Sequence, residues 1–419
     1  MRGGSYDLSA LNINYPATIE ESMEINETAE HRVIWLTIET RPEYMTDENC
    51  QMRRSRWVTR LEMGLQSMFD DVLDANKRWH SVQQAREAMH KMRQYGFKFS
   101  VHFMPGLYGS TVEKDIDSFK LAYADPYIKP DEIKFYPTSV IPNTELYELY
   151  RKGEYEPLKT EDIVDIIRKV QLEIIPPYTR IKRLIRDIPS TEIAAGSSVT
   201  NLRQLTEIDL LSDLAKSETM RKELYGRLYE NEQVYSSLDQ WLANETKRAD
   251  IHGMETIIVW TEPLIGHERN FVSLDTRARE IRNRKNRPED ETVNLVIRKY
   301  DSSVGTEYFI SYEDELGYLY GFTRLLLPKD EHTMDREGLW QSTALIRELH
   351  VYGQVAKINS TDETKTQHKG FGSRLMETAE KIATHYGYKK VSVISWIWVK
   401  EYYKKICYTK EWTYMVKNI

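Results

Sequence analysis

The sequence predicts an α/β protein, an incomplete (β/α) barrel followed by a second, strand-rich α/β domain. Three observations carry this. In the first 204 residues, apolar β-branched runs alternate with capped helical segments, as βαβ units require. From Asn294 onward, strands follow one another with only acidic or glycine turns between them. Near the C-terminus a glycine pair feeds directly into an amphipathic helix, and a short apolar strand comes next.

Val33–Ile38 is the first apolar run, and Thr59–Gln66, Phe97–Met104 and Glu132–Thr138 are the next candidate strands. Ser81 and Gln84 form a capping box ahead of Val82, Ala85, Met89 and Met92, and Gly96 stops that helix. Ser110 and Glu113 cap a second helix carrying Ile116 and Phe119. Thr160 opens a third, with Ile163, Ile167, Val170 and Ile174 on one stripe and Pro176-Pro177 as its stop. Roughly four such units make about half of an eight-fold barrel. Leu205–Asn270 reads as a solvated helical insertion, with a partner-binding or tRNA-binding arm as the sharper alternative. Later strands are Leu295–Lys299, Glu307–Tyr312, Leu319–Leu327, Ile346–Val351 and Val391–Ile394. The expected division is 1–204 for the partial barrel, 205–290 for the insertion and a basic linker, and 291–419 for the C-terminal domain.

Composition narrows the class. At 419 residues the chain needs more than one core, and 40% apolar with 29% charged residues is ordinary for a globular protein. No apolar run is long enough to span a bilayer and the N-terminus carries no signal-peptide core, so a cytoplasmic protein without membrane contact is expected. The two cysteines, Cys50 and Cys407, are far apart and form neither a disulfide framework nor a metal-ligand cluster. A net charge of -7 argues against indiscriminate nucleic-acid binding and leaves room for local basic surfaces.

In Gln367-His368-Lys369-Gly370-Phe371-Gly372 the glycines admit close backbone approach. The helix that follows, with Leu375, Met376, Ala379, Ile382 and Ala383 on one face, offers N–H groups and a positive dipole end to an anion. A plain loop-to-helix turn is the alternative for a Gly-x-Gly alone. The extended run Ile346–Tyr352 upstream, Val391–Ile394 downstream and the pair Tyr402-Tyr403 give it company. Strand, glycine loop, helix, strand and tyrosine in this order resemble the acetyl-CoA site of GCN5-related N-acetyltransferases (GNAT). The resemblance implies that the backbone of Glu348, Leu349, His350 and Val351 holds the pantetheine arm. It implies further that Gln367, Lys369, Gly370, Phe371, Gly372, Ser373 and Arg374 hold the pyrophosphate, and that Tyr403, with Tyr402 beside it, stands at the thioester as the catalytic pair. On a helix alone, a tyrosine pair reads as one ring in the core and one at the surface. His350 is read as a satisfied strand histidine and takes no proton-transfer role.

The longer stretches IRELHVYGQV, TKTQHKGFGSRLMETAEKIA and VKEYYKKICYTKEWTYMVK are similar to the Elongator catalytic-subunit family of tRNA wobble-uridine acetyltransferases. TIETRPEYM, TRLEMGLQS, HFMPGLYGST and IPPYTRIKRLIRDIPST resemble that family's radical-SAM-like domain. The implied fold is a partial radical-SAM-type (β/α) barrel followed by a GNAT domain. The implied function is tRNA uridine(34) acetyltransferase chemistry that uses acetyl-CoA in 5-carboxymethyl modification. The family also uses S-adenosylmethionine and a [4Fe–4S] cluster held by three cysteines, and that cysteine motif is absent from this sequence. Either a shortened form or a lineage without radical chemistry is expected, with the radical step lost or incomplete. Where the family carries zinc-binding cysteines this chain reads Ser273–Ala278, so no metal is expected there. Trp396 and Trp398 stand where the family has glycines, and either cover the acetyl-CoA channel or stack on a ligand or a neighbouring domain. Cys407 and Trp79 also replace family glycines.

Two stretches are densely basic: Arg180, Lys182, Arg183 and Arg186; and Arg277, Arg279, Arg282, Arg284 and Lys285 within 276–287. Such density neutralises phosphates, so both are candidate tRNA contacts; solvated surface charge is the plainer alternative. The partners implied are tRNA and acetyl-CoA, with a homodimer or Elongator-like subunits. Two other readings stay open: a plain acetyltransferase acting on a protein or small-molecule amine, and a catalytically reduced tRNA-binding remnant.

Overall fold

Strand-helix alternation in the first half of the chain produces five strands paired in parallel and in sequence order: β1 (Thr37–Thr40), β2 (Arg60–Gln66), β3 (Lys98–Phe103), β4 (Glu132–Phe135) and β5 (Arg180–Arg183). The computed structural model describes residues 18–31, 33, 35–185, 188–199, 201–245, 253–259, 269, 271–284, 293–329, 332, 337–352, 370–395 and 399–419. The first two expected helices start at a side-chain cap or one residue from it, and at the third the Asp162 carboxylate accepts from the Lys159 N–H. The Ser81–Gln84 capping box is present ahead of Val82–Gln94. Thr111, not Ser110, caps Val112–Ala124 by accepting from the Lys114 N–H, because its backbone is the one that stays extended. The helix Thr160–Lys169 continues as a wider turn over Val170–Ile174.

Strand alternation divides this sheet into two unlike faces. Leu61, Met63, Phe99, Val101, Phe103, Ile133, Phe135 and Ile181 point one way and pack with Met89, Met92, Phe119 and Ile167 in one core. The opposite face carries Arg60, Glu62, Lys98, Ser100, His102, Glu132, Lys134, Arg180 and Lys182. Among these, Glu62 and Glu132 pair with four of the basic residues, Arg60, Lys98, Lys134 and Lys182, and with His102.

The second sheet has nine strands: β6 (Glu232–Tyr235), β7 (Met254–Val259), β8 (Val293–Asp301), β9 (Gly305–Asp314), β10 (Leu319–Pro328), β11 (Thr343–Val351), β12 (Lys390–Val393), β13 (Thr409–Glu411) and β14 (Tyr414–Asn418). β8 to β11 form an antiparallel meander, whereas β6/β7 and β11/β12 pair in parallel. Its order, β13-β14-β12-β11-β10-β9-β8-β7-β6, sets the last three strands of the chain on one edge. The helix Phe371–His385 covers β9, β10 and β11 with Leu375, Met376, Ala379, Ile382 and Ala383, the face expected from periodicity.

The stretch expected to be a solvated helical insertion is built into this second sheet. β6 and β7 extend it, and Leu210, Leu214, Leu224, Leu228 and Trp241 from helices Leu202–Lys216, Glu218–Gly226, Leu238–Asn244 and a short turn join its core. The reason is apolar spacing: these few large side chains are set among enough Glu, Lys and Arg to hide the stripe, yet burying them stabilises the edge of a sheet that would otherwise stay open. No helix among the described residues is long and apolar enough to cross a membrane.

Candidate functional site between the two sheets

The parallel pair β11/β12 holds together for only part of its length. Thr343 to Ile346 pair with Lys390 to Val393, β12 then ends, and β11 runs on to Val351. On its other side β11 stays bonded to β10, from Leu345/Leu326 to Val351/Gly321 with one irregularity. The backbone edge of residues 347–351 that faces away from β10 therefore opens onto a wedge. The helix Phe371–His385 begins beside that wedge. Its cap, Gly370, has φ +69°, a left-handed conformation suited to glycine, and a side chain there would meet nothing within 4 Å. At Gly372 a Cβ would stand 3.0 Å from the Tyr402 hydroxyl and 3.7 Å from Val351, so glycine is what lets helix, tyrosine and strand meet.

Tyr402 and Tyr403 lie on the short helix Lys400–Lys405. Tyr402 is half-buried; Tyr403 is buried and packs on Tyr402 and Tyr408. Burial raises the pKa of both phenols, with Ser373 acting in the opposite sense on Tyr402, so both remain protonated at neutral pH. Both line a cleft of about 240 Å³ together with Leu349, His350, Tyr352, Ile394 and Val399. Its opposite wall is the charged face of the five-stranded sheet: Arg60, Lys98, Glu132 and Arg180, with Trp35 at the rim. These are the first residues of β2, β3, β4 and β5, so the cleft lies at the N-terminal ends of the parallel strands.

Charges around the cleft are paired across the junction. Lys98 lies 2.8 Å from Glu132 and 2.6 Å from Glu348, which in turn is 2.9 Å from Arg324. Burial alone would raise Glu348, but Lys98 and Arg324 outweigh it and hold the carboxyl at about 2. Arg347 is 2.6 Å from Asp131 and 2.9 Å from Glu307, and Glu307 is also 3.1 Å from Arg93. Desolvation lowers His350 to about 4, so the ring is neutral, stacked on Phe322 and tilted against Tyr352. The sequence reading missed this ring of charges. Its signal was available in the alternation Arg60-x-Glu62, Lys98-x-Ser100-x-His102, Glu132-x-Lys134 and Arg180-x-Lys182.

Of the pyrophosphate candidates, Gly370, Gly372, Ser373 and Arg374 lie at the helix start, and Ser373 and Arg374 are exposed. The Phe371 ring is buried against Tyr312 and Tyr320, so only its backbone faces the loop, and Arg374 stacks on Tyr312. Gln367 and Lys369 lie outside the described residues, as do Trp396 and Trp398.

The two basic stretches meet. Thr276 N–H donates to the Thr179 carbonyl, and Arg277 donates to the Lys182 carbonyl at 2.9 Å. Their side chains do not act alike. Arg183, Arg277 and Arg282 are at the surface or partly exposed, and Arg282 pairs with Glu280. Arg180 turns to the cleft, 2.6 Å from Glu280. Lys182 points to the charged sheet face, 2.5 Å from Glu62. Arg279 is fully buried and donates to the carbonyls of Leu274, Gly317 and Pro177 while pairing with Glu313 at 3.1 Å. Arg284 is held by Asp314 and Glu315. Carbonyl oxygens and carboxylates inside the fold thus engage Arg180, Lys182, Arg279 and Arg284, donors that sequence density offered to phosphate. Arg186 and Lys285 lie outside the described residues.

Among the described residues, the cysteines and one carboxylate–histidine group are the candidates for metal ligation. Cys50 is buried and Cys407 exposed, one on each half of the chain, which is no thiolate set for a [4Fe–4S] cluster. Glu39, Glu62 and His102 come together on the charged sheet face. Burial alone would raise Glu62, but hydrogen bonds from His102, Lys134 and Lys182 hold it well below the usual carboxylate range, and a cation there would displace two lysines.

Comparison with known proteins agrees with both halves. Residues 10–122 match the Radical SAM superfamily model and residues 130–210 the Radical_SAM C-terminal domain. The chain is 33% identical over 415 residues to a tRNA uridine(34) acetyltransferase of Methanocaldococcus jannaschii, covering 98% of this chain and 66% of the relative. It is 32% identical to the protein of that name from Methanocaldococcus infernus, covering 67% of it, and 34% identical over 403 residues to Elongator complex protein 3 of Schizosaccharomyces pombe, covering 63%. The chain thus spans about two thirds of the length of the curated relatives it matches. A solved structure of the Methanocaldococcus infernus Elp3 with an N-terminus deletion superimposes with a TM-score of 0.74 at 32% identity, covering 98% of this chain and 84% of that one. With a parallel half-barrel, a wedge-opened mixed sheet and similarity over 98% of its own length, the chain belongs to the family of tRNA uridine(34) acetyltransferases and Elongator complex protein 3.

Proposed function

We propose that this chain is a tRNA uridine(34) acetyltransferase that takes acetyl-CoA into the wedge between β11 and β12 and presents its acyl end to the cleft facing the barrel. The observation that carries the reading is the parting of β11 from β12 beside a glycine-started helix, with Tyr402 and Tyr403 at the far end. The donor set fits the ligand. The N–H groups after Gly370 are free of a side-chain cap and suit a pyrophosphate, with Arg374 as added charge. The free edge of residues 347–351 suits the amides of a pantetheine arm. Acetyl-CoA supplies the acyl group when bound; the chain's residues orient it and exclude water. A protonated phenol from Tyr402 or Tyr403 is able to donate to a departing thiolate. His350, neutral and stacked, shapes the cleft. tRNA is the acceptor named for the relatives, and the adjoining exposed arginines suit its phosphates. The two cysteines, Cys50 and Cys407, do not by themselves supply a cluster's thiolates.

Calorimetry with acetyl-CoA tests the cofactor reading. Gly370→Asp with Gly372→Asp should abolish binding, by charge at the anion site and by the clash with Tyr402. Unchanged affinity in that variant overturns the assignment. Thioester hydrolysis measured with and without tRNA then separates the readings. Stimulation by tRNA supports the tRNA reaction, acetylation of amines without it supports a plain acetyltransferase, and RNA binding without turnover supports a reduced remnant.

A further inference from the structure

The C-terminal ends of β1 and β2 carry a cluster that the cleft does not use. Arg41 follows β1 and lies between two rings. Its guanidinium carbon is 5.1 Å from the centre of Tyr44 and 5.3 Å from that of Trp79, and Nη2 donates to the Tyr44 hydroxyl at 3.0 Å. Both rings face solvent: Trp79 is 76% exposed and Tyr44 49%. Beside them β2 ends on Gln66, a non-glycine residue at φ +71°. Such a residue is uncommon outside turns and functional sites. Arg78 reaches over this strand end, since a Cβ on Gly64 would meet its Nη2 at 3.4 Å. Four buried polar atoms here have no hydrogen-bond partner, Gln66 Oε1, Arg78 Nε and the two carboxylate oxygens of Glu43, of which Oε1 is ion-paired with Arg41.

We propose that Trp79, with Arg41 and Tyr44 behind it, is a stacking platform for an unpaired RNA base at the mouth of the half-barrel; this rests on the RNA reading above. An indole held by a guanidinium on one side presents its other face to a flat π system, and base–aromatic stacking tolerates any base. A protein partner is the less suited occupant. The exposed sequence neighbours of the ring are polar, Lys77 and the partly exposed Ser81 among them, which suits a nucleic acid better than an apolar protein face. Arg41 is already neutralised by Glu43 at 3.0 Å, so the platform attracts through ring faces and not through net charge. Unpartnered Gln66 and Arg78 atoms just inside the mouth are polar groups that a base edge or ribose is able to satisfy.

The test compares binding of an RNA stem-loop with that of its blunt duplex, by fluorescence anisotropy across salt concentrations. Trp79→Ala should weaken stem-loop binding about 5- to 150-fold, leave duplex binding alone and leave the salt slope unchanged. Trp79→Phe should restore most of the affinity. Unfolding midpoints of both variants should match the parent, since the ring is mostly in solvent. The proposal is overturned if Trp79→Ala binds the stem-loop as tightly as the parent, if it loses stem-loop and duplex equally, or if its only defect is lost self-association. A parent chain that binds neither RNA overturns the RNA reading itself, which is a different result from a parent that binds and a variant that binds equally.

Discussion

The five parallel strands end in two different ways. At their N-terminal ends, Arg60, Lys98, Glu132 and Arg180 face the second sheet, and each has an ion-pair partner. At the C-terminal ends of β1 and β2, Gln66 and Arg78 keep buried atoms without partners, Gln66 is strained, and Trp79 stands in solvent. In parallel α/β folds the C-terminal ends are where ligands bind and the N-terminal ends are where stability resides. Here the N-terminal ends are also a wall of the cleft proposed for acetyl-CoA, so one set of charges both joins the two halves and lines that cleft. The difference teaches that satisfaction of polar groups, more than their number, separates the joint from the open mouth.

Removing one member of the joint should therefore cost far more than removing one at the mouth. Arg347 is 1% exposed in its side chain, bonded to Asp131, Glu307 and the Phe97 carbonyl. Arg347→Met leaves two buried carboxylates with less compensation, a change worth about 3–5 kcal/mol. Arg41→Met, at a side chain 42% exposed, should cost less than about 1 kcal/mol. Urea denaturation of both variants decides it. Equal losses would mean the joint carries no special share of stability.

Much of this was legible in the residues. Alternating apolar positions and capping residues located β2 and β3 to within one residue at each end and the start of β4 at Glu132, while β4 ends three residues earlier than expected, at Phe135. The glycine-to-helix step was legible since Gly370 requires a left-handed backbone. The joint was not read, although its strand alternation is visible, because Arg347, Asp131 and Glu307 are neighbours only after two sheets dock. The stretch after Leu205 misled for a different reason: β6 is an exposed edge strand of Glu232, Gln233, Val234 and Tyr235 with no apolar alternation to see. The basic stretch misled because composition counts donors without saying which way they point, as Arg279 shows.

His350 sharpens the comparison from the cleft side. Desolvation comes first among the causes that lower it to about 4, and Lys98, Arg180 and Arg282 lower it further while Glu348 opposes them. Its pKa is depressed from 6.5, so the unfolded chain takes up a proton that the folded chain refuses. Stability should fall as pH drops from about 6.5 towards 4, by on the order of 2 kcal/mol once partial exposure is allowed for. Glu348, depressed from 4.5 to about 2, acts in the same direction but only at lower pH. Asp115 and Asp314, raised to about 6 mainly by burial, act in the opposite direction, so the total curve is a mixture. His350→Phe isolates the histidine. The stability difference between pH 7 and pH 5 should shrink in the variant, and an unchanged difference removes His350 from the account.

The smallest expected effect concerns the surface where the two basic stretches meet. Arg183, Arg277 and Arg282 present charge to solvent or half to solvent, whereas Arg279 gives its guanidinium to three carbonyls and Glu313. A phosphate contact contributes about one unit to the slope of log affinity against log salt, independent of sequence. Replacing Arg183, Arg277 and Arg282 together by Gln should lower tRNA affinity by roughly an order of magnitude at low salt and flatten the slope by up to about three units, with the unfolding midpoint close to the parent's. Arg279→Gln should do the reverse. It leaves Glu313, held at about 2 by Arg298 and Arg279 against its burial, with one cation fewer, so stability falls while the salt slope of the folded fraction stays put. Filter binding over a salt series, paired with denaturation, reads both quantities on the same samples. If the triple variant keeps the parent's slope, these arginines are solvated surface, and the tRNA path must run along the barrel mouth instead.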